Sequence, residues 1–389
     1  MKLAIISTHP IQYYAPVFVR LARVPGLEIR VYYGWKGLVD GGHDREFGQA
    51  IQWDIPLLEG YDSEFVENVA ADPGTHHFKG IDLPSLNDRI SAWNADALLV
   101  YGWSWKAHLK ALRHFHGKIP IYFRGDSTLL DERPGMKRWL RRALLRWVYG
   151  HVDVAFHVGT RNHSYYNAMG LGDRQLVFAP HAIDNERFSD STTTLENAAL
   201  EWRQQLGIPH DAIVFLYVGK LERKKAPEDL LFAFKQMGRN RNVHLIFAGS
   251  GAMESFLREH AEHNVHFIGF QNQGRMPIVY RMGNVVVLPS RGPGETWGLA
   301  INEAMACGRA VAASEQVGCA VDLIEPGVNG WRFPAADPEA LGAVLKEAMA
   351  MGRADLQTMG FASYSMIQNW SMARQAETIT HTLMTRKIE

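Results

Sequence analysis

The chain has 389 residues, which is enough for two domains, because single domains commonly have about 100–200 residues. Its 41 Lys and Arg residues balance its 41 Asp and Glu residues. This balance excludes a global electrostatic attraction to nucleic acid or to an anionic membrane. The two cysteines, Cys307 and Cys319, form no metal-binding or redox spacing, which fits a reducing cytoplasm.

The N-terminal apolar run ends at Ser7, so it is too short for a secretory signal and instead indicates a first buried strand. No window reaches the ~20 apolar residues that a spanning helix needs. We therefore expect a cytoplasmic protein that is at most peripheral on the inner face of the membrane.

Short β-branched runs alternate with amphipathic segments along nearly the whole chain, a pattern typical of parallel α/β architecture. The first series of predicted strands comprises residues 3–7, 28–33, 97–101, 119–123, 152–158 and 175–179. The second series comprises residues 213–218, 243–248, 265–268, 284–289 and 309–313. Residues 36–80 form a long irregular connection with two adjacent histidines, in which Ile51–Ile55 resembles a strand. Connections of this length are usually functional or mobile.

Residues 134–149 form a predicted basic amphipathic helix. The apolar residues at helical spacing are Leu140, Ala143, Leu144, Trp147 and Val148, and the basic residues that point largely elsewhere are Lys137, Arg138, Arg141 and Arg142. Two interpretations remain open. Either the apolar stripe packs on the sheet, or the segment 136–149 docks on anionic lipid, at about 1 kcal/mol per basic residue near the surface. An exposed Trp139 would favour the membrane.

A polar stretch from Phe188 to Leu195 separates the two series of strands and is predicted to be a linker. We therefore place a first domain at residues 1–188 and a second domain at residues 189–369. A final helix begins near Trp370.

A basic turn follows the first strand of the second series. Gly219 permits a close turn, and Lys220 and Lys225 can direct two ammonium groups to one point beyond the sheet edge. Two positive charges there suit a pyrophosphate, whereas the plainer alternative is a solvated basic loop. The later turn at Gly249 does not complete a dinucleotide fingerprint, because a third Gly and an acidic ribose partner are missing.

Two carboxylates, Glu295 and Glu303, flank a predicted helix N-terminus. Gly298 allows a tight turn, and Leu299–Cys307 is helix-forming. Free N–H groups at a helix N-terminus favour phosphate, and carboxylates accept hydrogen bonds from hydroxyls, so this run suits a nucleotide sugar. The alternative is a capped surface helix. The strand-like segment Asn284–Ser290 just upstream favours the ligand site, because ligands of α/β sheets gather beyond the carboxyl ends of strands.

Five ordered motifs together resemble the retaining nucleotide-sugar glycosyltransferases of family 4, the glycosyl transferases group 1. They are Val218–Lys225, Phe247–Gly251, Val265–Gly269, Val287–Ser290 and the pair Glu295 and Glu303. The resemblance is dense from about Val177 to Ala336 and looser before that, although Pro180–Phe188 also matches a family variant at the interdomain crossing. It implies the α/β GT-B fold, in which two Rossmann-like parallel-sheet domains face a cleft. The first domain would bind the acceptor and be joined by the C-terminal helix 370–389, and the second would bind the nucleotide sugar.

The resemblance also implies roles for single residues. Glu303 would accept hydrogen bonds from the ribose, Glu295 would hold hydroxyls of the donor sugar, and Lys220 with Lys225 would neutralise the diphosphate. Negative charge grows on the leaving diphosphate as the glycosidic bond breaks, so preorganised cations stabilise the transition state. The further substrate-binding positions are Gly298, Leu299, Thr296, Gly219, Gly249 and Phe270, and the amides around the first two would add fixed dipoles.

Enzymes of this type need no bound metal. The sequence agrees, because it has no Asp-x-Asp-like motif at a strand end and no His/Cys cluster. We therefore expect no metal and no cofactor, with the nucleotide sugar as a substrate.

The first domain departs from the family pattern after the strand that ends near Phe123. Family members often carry a His there, whereas this chain has Arg124, Gly125 and Asp126. Arg124 and Asp126 are candidates for the missing role. His9, in the loop after the first strand, is the nearest substitute, although a lone loop His is more often a surface residue.

The resemblance implies a hexosyltransferase (EC 2.4) that moves a sugar from a UDP- or GDP-sugar to a hydroxyl acceptor with retention at the anomeric carbon. A saccharide or lipid-linked acceptor would place it in cell-surface polysaccharide or glycolipid synthesis, with no nucleic-acid partner. The alternatives are a GT-B phosphorylase, a sugar-nucleotide epimerase, and a sugar-nucleotide-binding protein without catalysis.

Overall fold

The computed structural model describes residues 1–37, 42–44, 49–189, 192–238 and 242–385. The chain divides into two compact units. The first unit contains Met1–Gly42, Ile51–His181 and Met372–Glu389, and the second contains His43–Ala50 and Ala182–Ser371. The chain thus leaves the first unit at His181 rather than at Phe188, and it returns to that unit at Met372.

The first unit is built on a parallel sheet. Its strands are β1 (Lys2–Ser7), β2 (Glu28–Tyr33), β5 (Ser63–Phe65), β6 (Ala97–Tyr101), β7 (Ile121–Arg124), β8 (Val154–His157) and β9 (Leu176–Phe178). Two short strands, β3 (Gly42–Asp44) and β4 (Gln49–Ile51), pair with each other outside this sheet. The seven-stranded sheet has the spatial order β5-β2-β1-β6-β7-β8-β9. Its central strands are fully buried because helices cover both faces, which explains their continuous apolar sequences.

The described part of the first unit contains six helices. They are α1 (Ala15–Ala22), α2 (Leu86–Ala92), α3 (Lys106–Phe115), α4 (Met136–Tyr149), α5 (Thr160–Ala168) and the C-terminal helix Met372–Thr385. The C-terminal helix packs against α1. Two short 3-10 turns, Phe78–Gly80 and Asp173–Gln175, complete the described elements of this unit.

The second unit contains a six-stranded parallel sheet. Its strands are β10 (Ile213–Val218), β11 (Val243–Ala248), β12 (Val265–Gly269), β13 (Val285–Leu288), β14 (Ala310–Ser314) and β15 (Gly330–Phe333). The spatial order is β12-β11-β10-β13-β14-β15, so the strand order reverses between β10 and β13. This is the doubly wound Rossmann order, in which ligands bind at the carboxyl ends of the strands beside the reversal.

The helices of the second unit alternate with its strands. They are α6 (Asn185–Ser189), α7 (Thr192–Gln205), α8 (Pro227–Lys235), α9 (Glu254–His260), α10 (Met276–Arg281), α11 (Leu299–Ala306), α12 (Ala320–Leu323) and α13 (Pro338–Ile367). The C-terminal helix of the first unit, Met372–Thr385, is therefore numbered α14. A 3-10 turn, Arg223–Lys225, precedes α8, and α13 is kinked at Gly352. No helix within the described residues is long and apolar enough to cross a membrane.

Both predicted series of strands are present with small shifts at their ends. The strands β3, β5 and β15 were not predicted, because each has only three or four residues and carries a charged residue. The strand predicted at Ile51–Ile55 is wrong, because the chain leaves the extended pairing after Ile51.

The linker predicted from Phe188 to Leu195 is also wrong as a description of most of these residues. Residues up to Ser189 belong to α6, and α7 begins at Thr192. Phe188 is fully buried and its ring lies 6.0 Å from the ring of Tyr280. A single apolar side chain therefore anchors a stretch whose polar composition suggested an exposed connection.

Helix α4 contradicts the interpretation that its whole apolar stripe packs on the sheet. Leu145, Val148 and Tyr149 are buried, whereas five other apolar side chains are exposed. These are Met136, Trp139, Leu140, Leu144 and Trp147. Of the predicted stripe, only Val148 is buried, because the face that packs on the unit is rotated toward Leu145 and Tyr149.

Candidate functional site

The loops after β10, β11 and β13 form the candidate donor site of the second unit. Because parallel strands end at the same edge of a sheet, these three loops lie together there. Lys220 follows β10 and Glu295 follows β13, so the two sides of the strand-order reversal each supply a charged residue. This is the position at which α/β folds bind ligands.

Two of these loops cross in close backbone contact. Gly219 N donates to Ala248 O at 3.0 Å, and Gly249 has a φ of +141°. A Cβ atom at Gly249 would lie 1.9 Å from the carbonyl oxygen of Gly219, which no side chain tolerates. Gly249 therefore allows the β10 and β11 loops to approach each other, whereas Gly219 is favoured by its φ of +154°.

Tyr217 fixes the backbone of the first basic residue. Its hydroxyl donates to the carbonyl oxygen of Lys220 at 2.6 Å. Burial raises the pKa of Tyr217 well above its usual value, and the negative charge of Glu295 raises it further. The hydroxyl therefore keeps its proton and holds this turn in place.

Lys225 and Glu295 form an ion pair at the centre of the site. The ammonium group donates to Oε2 of Glu295, and the Ser290 hydroxyl donates to the same oxygen at 2.7 Å. Only 8% of the Glu295 side chain is exposed. The carboxylate is thus held in one orientation by a cation from the β10 side and a hydroxyl from the end of β13.

Glu303 lies on α11, about one turn inside the helix, as predicted. It is buried, and its Oε2 accepts a hydrogen bond from the Tyr280 hydroxyl at 2.6 Å. Tyr280 is on α10, so α10 orients the carboxylate that α11 carries.

The N-terminus of α11 is set by Gly298, whose φ is +95°. A Cβ atom there would lie 2.6 Å from Cγ1 of Val317. The preceding turn is fastened to the loop after β14, because Gly318 N donates to Glu295 O at 3.1 Å and Cys319 N donates to Trp297 O at 2.8 Å. The amides at the start of α11, from Leu299 onward, therefore have a fixed direction, and their dipoles favour an anion.

The remaining predicted positions of this unit lie at the same edge. Thr296 is part of the turn before α11, and Phe270 follows β12. Both are half-buried. The structure thus brings the predicted donor-site residues to the carboxyl edge of one sheet.

In the first unit, His9 also follows a strand beside a reversal, since β1 lies between β2 and β6. Its Nδ1 lies 2.9 Å from the Thr8 hydroxyl oxygen, and its ring meets that of Trp35 edge-on at 5.2 Å. Burial lowers the pKa of His9 to about 4, so the imidazole is neutral at pH 7. A neutral imidazole can donate a hydrogen bond from one ring nitrogen and accept one at the other.

Arg124 forms hydrogen bonds within the first unit. It is buried, and its guanidinium donates to the carbonyl oxygens of Ala179 and Pro180, both at 2.9 Å. These contacts hold the segment that follows β9. These two hydrogen bonds give Arg124 a structural part in the first unit, and its predicted role toward the substrate stays a prediction.

Asp126 interacts electrostatically with Tyr14 and His181, which were not among the predicted site residues. Burial raises the pKa of Tyr14, and the nearby Asp126 carboxylate raises it further. Burial also lowers the pKa of His181 to about 4, helped by repulsion from Arg124 and opposed by Asp126. His181 stands in the quoted motif Pro180–Phe188, so its position in that motif was the signal that could have selected it.

The structure also contains a cluster of two histidines and an aspartate that was not predicted. Asp72, His76 and His77 bring three metal-binding atoms within 4.8 Å of one another. The adjacent histidines were visible in the sequence, but their approach to Asp72 depends on loop closure.

The comparisons with known proteins agree with this geometry. Residues 199–360 match the family Glycosyl transferases group 1. An uncharacterized glycosyltransferase of Methanocaldococcus jannaschii is 34% identical over 35% of this chain and 35% of its own. A D-inositol 3-phosphate glycosyltransferase of Geodermatophilus obscurus is 30% identical over 52% of this chain and 46% of its own. The chain therefore spans about half or less of the length of these relatives.

Solved structures share the fold over nearly the whole chain. Anabaena HepE in complex with UDP superposes with a TM-score of 0.74 and 17% identity, covering 99% of this chain and 100% of its own. Sucrose-phosphate synthase from Thermosynechococcus elongatus gives a TM-score of 0.71 and 20% identity, with 98% and 99% covered. These likenesses confirm the predicted α/β fold class with two Rossmann-like units.

Proposed function

We propose that the chain is a retaining family 4 glycosyltransferase that transfers a hexose from a UDP- or GDP-sugar to a hydroxyl acceptor. The observation that carries this proposal is the fixed pair of carboxylates, Glu295 and Glu303, at the start of α11 beside the Lys220 turn. The match of residues 199–360 to group 1 glycosyltransferases supports it. The complexes of Anabaena HepE with UDP and UDP-glucose support a nucleotide-sugar donor.

In the proposed complex the diphosphate lies against the first amides of α11 and the ammonium groups of Lys220 and Lys225. Lys225 is then shared between the diphosphate and Glu295, its partner in the structure. As the bond from the anomeric carbon to the diphosphate breaks, negative charge grows on the leaving oxygen. Fixed cations and amides stabilise that charge more strongly in the transition state than in the ground state. The lysines supply this positive charge, so no metal is part of the proposed step.

Glu303 and Glu295 bind the two sugar rings of the donor. Glu303, held by Tyr280, accepts hydrogen bonds from the ribose hydroxyls. Glu295, held by Lys225 and Ser290, accepts hydrogen bonds from the hexose. Fixing the hexose places the anomeric carbon for attack by the acceptor on the face that the leaving group occupied, which gives retention.

The carboxyl edge of the first unit is the proposed acceptor region. Asp126 and His9 are its candidate polar groups, and the lowered pKa of His9 keeps that imidazole neutral and able to take part in hydrogen bonds with an acceptor hydroxyl. Arg124 acts there by holding the segment Ala179–Pro180.

Helix α4 supports a lipid-linked acceptor, with the protein peripheral on the inner face of the membrane. Met136 is 80% exposed and Trp139 is 69% exposed, beside Leu140, Leu144 and Trp147. The same helix carries Lys137, Arg138, Arg141 and Arg146, whose charges attract anionic headgroups. Exposed apolar side chains next to cations are typical of a helix that lies in a membrane interface.

Sedimentation with vesicles tests the membrane contact. We expect the full chain to bind vesicles that contain phosphatidylglycerol and not vesicles of phosphatidylcholine alone. Trp139→Ala should weaken that binding, whereas Phe361→Ala, which removes an equally exposed apolar side chain on α13, should not. Equal binding by both variants would contradict the assignment to α4.

A donor screen followed by a transfer assay tests the activity. The authentic UDP- or GDP-sugar at 100 times its dissociation constant should add about 2.7 kcal/mol of stability. With an acceptor, NMR of the product should show the anomeric configuration of the donor. Inverted product would overturn retention, phosphate-dependent release of sugar phosphate would indicate a phosphorylase, and an altered free donor would indicate an epimerase. Stabilisation without any turnover would indicate a binding protein.

A further inference from the structure

A cluster of metal-binding side chains lies in the segment that follows β5, and the proposed transfer reaction makes no use of it. Asp72, His76 and His77 all extend polar atoms to one point on the surface. Nε2 of His76 lies 2.8 Å from Oδ2 of Asp72, and Nε2 of His77 lies 3.7 Å from the same oxygen. Two imidazole nitrogens and one carboxylate oxygen thus converge.

This convergence is unusual because the two histidines are adjacent in the chain. Neighbouring side chains in extended backbone point to opposite sides. Here the backbone closes on itself, since Gly74 N donates to Gly80 O at 3.1 Å. A Cβ atom at Gly80 would lie 2.2 Å from Gly74 O, so the closure requires glycine at that position. The closed loop turns both imidazoles to the same side.

Gly74 shapes the space beside the first imidazole. Its φ is +156°, and a Cβ atom there would lie 2.8 Å from Nδ1 of His76. A larger residue at this position would push the ring away from Asp72. The glycine therefore keeps His76 directed at the carboxylate.

Contacts from neighbouring segments hold the loop. Nε1 of Trp105, just before α3, donates to Thr75 O at 3.2 Å. Nδ2 of Asn68 donates to Gly80 O at 2.9 Å, and its Oδ1 accepts from Asp82 N at 3.0 Å. These hydrogen bonds fix the backbone from which the three polar side chains project. Binding an ion therefore costs little backbone conformational entropy.

We propose that Asp72, His76 and His77 bind a divalent transition metal, with Zn²⁺ as the ion that fits best. Imidazole suits zinc and its neighbours, whereas Mg²⁺ and Ca²⁺ prefer sites made of oxygen alone. Around a tetrahedral zinc with bonds of about 2.0–2.1 Å, ligand atoms stand about 3.3 Å apart. The two separations from Asp72, 2.8 and 3.7 Å, bracket that value, and all three ligand atoms lie within 4.8 Å of one another.

The alternative is an ordinary ion pair between Asp72 and His76. Nε2 of His77 also lies 3.0 Å from the backbone carbonyl oxygen of Asp72, so hydrogen bonds to Asp72 hold both rings before any ion binds. The metal proposal rests on the convergence of three ligand atoms within 4.8 Å of one another. Three protein ligands leave a fourth position for water or for an oxygen of a bound molecule, and the exposure of all three side chains gives an ion access from solvent.

Calorimetric titration of the tag-free full chain with Zn²⁺ tests the proposal. We expect saturable binding of one ion per chain and no comparable binding of Mg²⁺. Asp72→Asn, His76→Ala and His77→Ala should each weaken zinc binding by about tenfold or more, since even loss of a group that only supports a ligand costs 10–100-fold. The control is His163→Ala, which removes an exposed histidine 3.6 Å from a carboxylate oxygen of Asp173 and should bind zinc as the parent does.

Cobalt gives a second readout that needs no variant. Co²⁺ in a tetrahedral site of nitrogen and oxygen ligands absorbs visible light much more strongly than the hydrated ion. Added Zn²⁺ should displace the Co²⁺ and remove these absorption bands. Absence of saturable zinc binding, absence of those bands, or equal zinc affinity in the three ligand variants and the parent would each overturn the proposal. Circular dichroism of every variant checks that the fold is retained.

Discussion

Lys225 and Glu295 are 70 residues apart in sequence, yet the ammonium group of the first donates directly to the carboxylate of the second. The contact joins the turn after β10 to the turn before α11. Because one cation orients the proposed sugar-binding carboxylate and also faces the proposed diphosphate, the two halves of the donor site act as a unit. Effects of substitutions at the two positions should therefore not add.

Replacement of either lysine should slow sugar transfer. Lys220→Ala and Lys225→Ala each remove a charge-assisted contact of about 1.5–3 kcal/mol, which corresponds to about 10–150-fold in kcat/KM. Steady-state kinetics measure this loss, and Lys224→Ala is the matched control, since that side chain pairs with Glu222. Full activity in both Lys220→Ala and Lys225→Ala would show that the diphosphate binds elsewhere.

Glu295→Gln should separate binding from turnover. The amide keeps the shape but loses the charge and one acceptor, so the hexose is held less firmly while the nucleotide part is unaffected. We expect near-parental affinity for the nucleoside diphosphate and a kcat lower by about 10²-fold or more. Calorimetry and single-turnover transfer provide the two measurements. Transfer at the parental rate would refute the role of Glu295 in orienting the sugar.

Glu303→Ala should weaken binding of the free nucleoside diphosphate as much as binding of the intact donor, because the ribose is common to both. Tyr280→Phe leaves the carboxylate in place but removes its hydrogen bond of 2.6 Å, so it should give a smaller loss in the same direction. Calorimetry with both ligands compares them. Loss confined to the sugar-bearing donor would assign Glu303 to the hexose instead.

Stability should fall as the pH drops from about 6.5 to about 4. Burial lowers the pKa of both His108 and His181 to about 4, so in this window the unfolded chain binds protons that the folded chain does not. The contribution of each histidine is present above its unfolded pKa and is lost as the pH falls toward its folded pKa. Urea unfolding at several pH values measures the slope, and His108→Asn should reduce it by up to about 1.4 kcal/mol per pH unit. An unchanged slope in that variant would show that His108 is protonated equally in both states.

The strand pattern was predictable because burial on both sheet faces imposes continuous apolar runs, such as Leu3–Ile6 and Ile213–Val218. The positions of Glu295 before α11 and of Glu303 on α11 were predictable because their spacing around a helix start is local. Their partners were not: Ser290 and Tyr280 reach Glu295 and Glu303 only after the chain has folded.

Other features could not be predicted because sequence does not show which way a side chain points. The hydrogen bonds from the Arg124 guanidinium to two carbonyl groups are one example. The polar stretch after Phe188 looks like a linker, but that one ring is buried. Asp72 lies beside the two histidines only because the loop closes between Gly74 and Gly80.

Gly318 carries no functional group, yet a Cβ atom there would lie 1.7 Å from the carbonyl oxygen of Thr296, in the turn that presents Glu295. Any side chain at this position must displace that turn and, with it, the start of α11. In a screen of random variants for lost activity, Gly318 should therefore appear among the intolerant positions together with the carboxylates. The intolerant positions would then identify the residues that shape the backbone of the candidate donor site as well as those whose side chains contact the donor.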